Sequence, residues 1–275
     1  MPSETDDHGL GHQQQGEEPL APTASGEQRG AREGQHDRQG RQRDTGRSEP
    51  LGQGQLRERE SRDPPATGGH VSNPIRLGEL RPHEAATILA GCPRLLIPVG
   101  TLTHRGRHLP LGYDTLVLER LTDELSAATG IARSPIIPVG VHSSREESCP
   151  GAASLSRKSL HRVMNELIES WETGAKVLDV TILTAHATDA HLEALSTIRT
   201  TGTVRLIDVM AVAAARQREL EPDARDLEAA LLLHLRPELV DLQRGSGVNP
   251  PSAEVGREIY EATLRALVEQ VGRAE

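Results

Sequence analysis

Two short stretches of the chain gather the side chains able to hold ions or move protons. Residues 101–114 (TLTHRGRHLPLGYD) carry His104, Arg105, His108 and Asp114, and residues 183–189 (LTAHATD) carry His186 and Asp189. Imidazoles and carboxylates converging from separate loops hold divalent cations, and a cation so held acidifies a water for attack on a carbonyl near neutral pH. Each residue also has a plainer reading. Asp114 stands where the next helix needs a cap. His186 ends a strand and can simply hydrogen-bond within its loop, and His142 in the GVHSSREES segment can do the same. Arg105 is of a different kind, because its guanidinium stays protonated at any physiological pH. Wherever a fold brings such a group beside a carboxylate like Asp114, it would repel a divalent cation, pair with the carboxylate in that cation's stead, or grip a substrate carboxylate or phosphate through a bidentate contact.

The spacing of apolar residues says what positions these loops. Residues 94–100 (RLLIPVG) are a short apolar run ending in glycine, as expected of a buried strand. Val117, Leu118, Leu121, Leu125 and Ala128 then recur at helical intervals, with Asp114 or Thr115 as the cap. Residues 136–139 read as a second strand. Leu160, Val163, Met164, Leu167, Ile168 and Trp171 form an apolar helical stripe, and Gly174 is placed to end that helix. Residues 177–183 and 204–209 read as the third and fourth strands, separated by a helix carrying Leu192, Leu195 and Ile198. Further helices are expected over 227–235 and 259–271. Strand and helix alternate, which predicts an α/β fold: a single three-layer domain over 74–275 whose mainly parallel sheet is flanked by helices. In such sheets ligands collect beyond the carboxyl ends of the strands, where both histidine-bearing loops fall.

These loops together resemble the creatininase family of amidohydrolases, whose first loop runs roughly V-G-S-x-E-Q-H-G-x-H-L-P-L-x-x-D. Gly106, His108, Leu109, Pro110, Leu111 and Asp114 keep their places, whereas Thr103 stands at the family's Glu and Arg105 at its first ligand His. Residues 149–155 (CPGAASL) resemble F-P-G-T-x-S-L, and residues 231–241 (LLLHLRPELVD) resemble L-M-L-x-L-R-P-E-L-V. Residues 247–262 (GVNPPSAEVGREIYEA) are similar to G-V-x-G-D-P-x-x-A-T-x-E-x-G. The resemblance covers roughly residues 77–273. In the family, Glu, His and Asp of the first loop and a His of a later loop bind a pair of divalent metals. A further carboxylate comes from beside that His or from a downstream H-A-G-E-x-E-T-S segment. Carried onto this chain, the pattern keeps Asp114 and His186 and places Thr188 where the nearby acid belongs. The downstream segment becomes DARDLEAA, with Asp223, Asp226 and Glu228 at its key positions.

Two functions follow from the resemblance. In the first, the binuclear centre is degraded and the chain is a catalytically impaired binding or scaffolding subunit. In the second, it is an active metal-dependent amidohydrolase, in a biosynthetic pathway or elsewhere, that cleaves a C–N bond of a small amide, a formamide or a modified peptide. One divalent metal (Zn, Fe or Mn) would then be held by Asp114, His186 and Asp226, with Arg105, His108 and His142 contacting the substrate. The family also implies a homo-oligomer, or a mixed oligomer with an intact relative.

Composition narrows the remaining classes. The chain has 275 residues and a net charge of −9. Residues 1–73 hold 13 acidic side chains against 9 arginines, no aromatics, and, after Met1, only Leu10, Leu20, Leu51, Leu56 and Val71 as large apolar groups. Such a segment buries too little to offset the entropy of ordering, so a disordered low-complexity tail is expected. Neither part is basic enough for nucleic acid, and no apolar run approaches a membrane span. The opening MPSETDDHGL lacks a secretory pattern, so a cytoplasmic location is expected, with Cys92 and Cys149 as thiols.

Overall fold

Alternating side chains on strand β1 (Arg94–Val99) divide the core in two, as a period of two residues requires. The computed structural model describes residues 73–142, 149–220, 226–245 and 252–272; the expected tail and Asp223 lie outside them. Leu95, Ile97 and Val99 face α1 (Pro82–Gly91), α3 (Arg157–Ala175) and α4 (Asp189–Ser196), packing with Leu89, Leu160, Met164, Ile168 and Leu195. Leu96 faces the other way, among Leu118, Leu121 and Leu125 of α2 (Tyr113–Thr129) and Ile259 and Leu267 of α7 (Ala253–Gly272). The sheet is wholly parallel in the order β2-β1-β3-β4, with β2 at Ala132–Arg133, β3 at Asp179–Thr184 and β4 at Thr203–Asp208. Helices α5 (Val209–Leu220) and α6 (Leu227–Leu235) complete the layer that holds α2 and α7. Among the described residues no helix is long and apolar enough to cross a membrane.

Several local expectations change. Residues 136–139 are not a strand: Ile137 makes one parallel bridge to Val99, and the flanking Pro135 and Pro138 have no N–H with which to continue a ladder. The second strand is instead the pair Ala132–Arg133. Helix α3 runs through Gly174 and stops at Lys176, which takes the left-handed conformation (φ 58°). Helices α1 and α5 were not foreseen. The latter follows β4 without a loop, because Asp208 accepts hydrogen bonds from the N–H groups of Met210 (2.9 Å) and Ala211 (3.1 Å) and caps the helix at once.

Two features of this framework aim the functional loops. Val99 and Thr184 are paired at the carboxyl ends of the neighbouring strands β1 and β3, so the chain leaves both strands side by side. Helix α6 is then brought over those exits. Its Ala229 and Leu232 pack with Leu109, Tyr113 and Val117 in a small core of their own. On its far side it meets α7 backbone to backbone at Gly256, where a Cβ would lie 1.9 Å from the Ala230 carbonyl oxygen.

Candidate functional site

The loop after β1 turns back on itself at Gly106, whose φ of 101° suits glycine, and a Cβ there would sit 2.9 Å from the His108 ring. That turn sends Arg105 inward, to a position only 16% exposed. One terminal nitrogen, Nη2, donates to Asp114 Oδ1 at 2.7 Å and to the Ala185 carbonyl oxygen at 2.6 Å, and lies 3.2 Å from His186 Nδ1. The other, Nη1, donates to Glu228 Oε1 at 2.6 Å. The guanidinium carbon stands 5.7 Å from the centre of the Tyr113 ring. Nη2 carries two hydrogens, which go to Asp114 and Ala185, so the His186 ring lies against the guanidinium as a third, weaker contact.

Asp114 does not cap α2. Gly112 takes that place, and the Asp114 side chain points inward at 1% exposure, accepting from the Thr101 hydroxyl on Oδ2 and from Arg105 on Oδ1. His186 Nδ1 is 3.7 Å from the same Oδ2. Burial pushes the Asp114 carboxyl up to about 6, while Arg105 and the Thr101 hydroxyl pull the other way. Glu228 is raised as well, first by burial and then by the charge of Asp226, with Arg105 opposing both. For Arg105 burial works against the charged form, and Asp114 and Glu228 more than offset it.

The remaining candidates lie around this centre. Asp226 sits in the left-handed region (φ 58°), caps α6 by accepting from the Ala229 N–H at 3.1 Å, and places its other oxygen 2.8 Å from His108 Nε2. His108 therefore lies beside the α6 start, close to Asp226 but with no hydrogen bond to its Nε2. Thr103 is wholly buried, with its N–H bonded to the Leu111 carbonyl oxygen. His104 is exposed and accepts from the Gly106 N–H. His142 is buried at 5% exposure, its N–H bonded to Ser154 Oγ. The Thr188 hydroxyl donates to the Val141 carbonyl oxygen, and Asp189 is exposed in the first turn of α4. So the structure gathers Asp114, His186 and Glu228 around Arg105, and turns Asp226 and His108 toward each other. Among the described residues no three His, Cys, Asp or Glu side chains form a group that could hold a metal ion.

Sequence reasoning placed Glu228 only as a family position and missed its contact with Arg105. It missed His191 altogether, a wholly buried imidazole beneath His186 at a ring separation of 5.4 Å. The sole cue to His191 was its place in the first turn of α4, three and four residues before the apolar Ala194 and Leu195.

No curated protein sequence matches the chain. Solved structures do. A creatinine amidohydrolase (creatininase) superposes with a TM-score of 0.63 at 20% identity, covering 73% of this chain and 97% of its own. A manganese creatininase gives 0.63 at 19%, covering 72% and 97%. A variant creatininase of Zn-Zn type gives 0.63 at 19%, covering 73% and 98%. Residues 78–272 match the family described as creatininase, creatinine amidohydrolase. With its parallel sheet and strand-end loops in that arrangement, and a family match across most of its length, the chain belongs to the creatininase family.

Proposed function

We propose that this chain is a binding or scaffolding member of the family in which Arg105 has taken over the charge-balancing role of a metal ion. The observation that carries the reading is the set of three acceptors on one guanidinium, Asp114, Glu228 and the Ala185 carbonyl, with the His186 ring against it. Related creatininases are described in manganese and Zn-Zn forms, so the fit of such an ion to these residues matters. They do not fit it. His186 Nδ1 and one oxygen of Asp114 face a fixed cation, and a divalent ion at the same place would meet a repulsion of about 4 kcal/mol per unit charge at 4 Å in a partly buried setting. Asp226, the third ligand expected from sequence, is engaged in capping α6.

The test is metal analysis of the purified full chain beside a Thr103→Glu/Arg105→His double variant, which restores the family's residues at both positions. The wild type should hold well under one equivalent of zinc, iron or manganese after dialysis against those ions, and the double variant should gain metal. Near-stoichiometric metal in the wild type would overturn the reading and favour a metal-dependent amidohydrolase. We propose further that the chain assembles as a homo-oligomer or with a metal-bearing relative. Light scattering that returned a monomer, alone and after mixing with such a relative, would remove that part.

A further inference from the structure

His191 lies at a junction of three segments. Its Nδ1 accepts the backbone N–H of Val141 at 3.1 Å, and its Nε2 is 2.9 Å from the Thr184 hydroxyl oxygen. A backbone N–H can only donate, so Nδ1 carries the lone pair and the proton of a neutral ring is on Nε2, donating to Thr184. Thr184 Oγ1 in turn accepts the backbone N–H of His186 at 3.2 Å. The ring is wholly buried, and burial, seconded by His186 and Arg105, holds it down to about 3, so it is uncharged across the physiological range. Room is made for it by Gly140, where a Cβ would come within 2.4 Å of its Cε1. The His186 ring meets it edge to face, at 89°.

We infer that His191 is a positioning residue of this site: a neutral, Nε2-protonated imidazole that ties the Val141 segment to the loop bearing His186, and so fixes where His186 meets Arg105. Its two nitrogens do separate work. The Nδ1 side anchors Val141 and, through it, the backbone leading into His142. The Nε2 side orients the Thr184 hydroxyl so that its lone pairs receive both His191 and the His186 amide. A residue that only filled space here would have no such division.

The division makes the inference testable on the full chain by nitrogen-15 spectroscopy of the histidine rings, with amide exchange at Val141 and His186. The inference rests on the same Arg105–His186 contact as the proposed function, but a metal-bound His186 would show its own ring-nitrogen shifts and so identify a failure of that reading. The His191 tautomer and the amide pattern still decide this one. In the wild type, His191 should show the Nε2–H tautomer, and a protonated Nδ1 would overturn the inference without any variant. Gln extends an amide toward the Nε2 position and Asn toward the Nδ1 position. His191→Gln should therefore keep the His186 amide protection and ring shifts while Val141 exchange rises at least tenfold, and His191→Asn should do the reverse. Equal loss at both places in both variants, or no change in either, overturns it.

Discussion

Replacing Arg105 with Met tests the ion cluster most directly, since Met keeps much of the stem volume and removes every donor. Asp114, at 1% exposure, would keep one hydrogen bond, from the Thr101 hydroxyl, and the His186 ring 3.7 Å away, whereas Glu228, at 29%, can turn to water. Removing one partner of a buried pair costs about 3–5 kcal/mol. The cost should depend on pH in a definite direction. The folded carboxyl of Asp114 is already up at about 6 from an ordinary 3.8 with Arg105 beside it, and without that cation it must rise further. A raised carboxyl favours the folded state while protonated and loses that stability as pH climbs through the folded value. The variant's loss therefore continues through pH 6–8, where the wild type has levelled off. A further rise of about two pH units corresponds to about 3 kcal/mol. Urea unfolding with a chelator present should give a cost of about 3–5 kcal/mol at pH 8, shrinking to about 1 kcal/mol near pH 5. In an Asp114→Asn background the same substitution should cost less than half as much at pH 8. A cost under about 1 kcal/mol at pH 8, or one that is equal at both pH values, would refute the pairing.

Asp226→Ala should destabilise by about 1–2 kcal/mol in thermal melts, because it removes the α6 cap and leaves a Cβ residue at φ 58°. Asp226→Gly should recover a substantial part of that loss. Gly256→Ala should cost at least about 2 kcal/mol by urea unfolding, since the added methyl meets the Ala230 carbonyl and must part α6 from α7. His191, held down to about 3 from 6.5, supplies stability that is present above about pH 6.5 and lost as pH falls toward 3, at most about 5 kcal/mol. Asp114 works oppositely between about pH 6 and 4. In urea unfolding, His191→Phe should therefore move the change in stability on acidification from pH 6 to 4 by about 2–3 kcal/mol toward strengthening, relative to the wild type, and an unmoved difference would count against a buried neutral ring.

The sheet could be read from sequence because β1 and β3 are buried on both faces and are built on the apolar groups 95–99 and 180–183, interrupted only by Thr181, and the helix over 227–235 was placed to the residue. What failed was decided by single atoms. Pro135 and Pro138 deny residues 136–139 their ladder although Ile136 and Ile137 look strand-like. Asp114 sits two residues past the cap, a distinction set by the backbone at Gly112. In the site, the Arg105–Asp114 pair was among the readings open from sequence, since the residues are nine apart in one loop. The Arg105–Glu228 contact spans 123 residues and depends on how α6 docks on Leu109 and Tyr113. The hydrogen bonds of His191 reach 50 residues back to Val141, and nothing in the local pattern announces them.

The guanidinium between Asp114 and Glu228 arrives on the chain's own covalent stem, and this distinguishes it from any ion drawn from solution. Its local concentration is set by the length of a side chain rather than by supply, so neither dilution nor scarcity empties the position. Its charge is delivered whenever the loop folds. On the proposed reading, such a centre is fixed when the chain is synthesised, with no loading step for a cell to control.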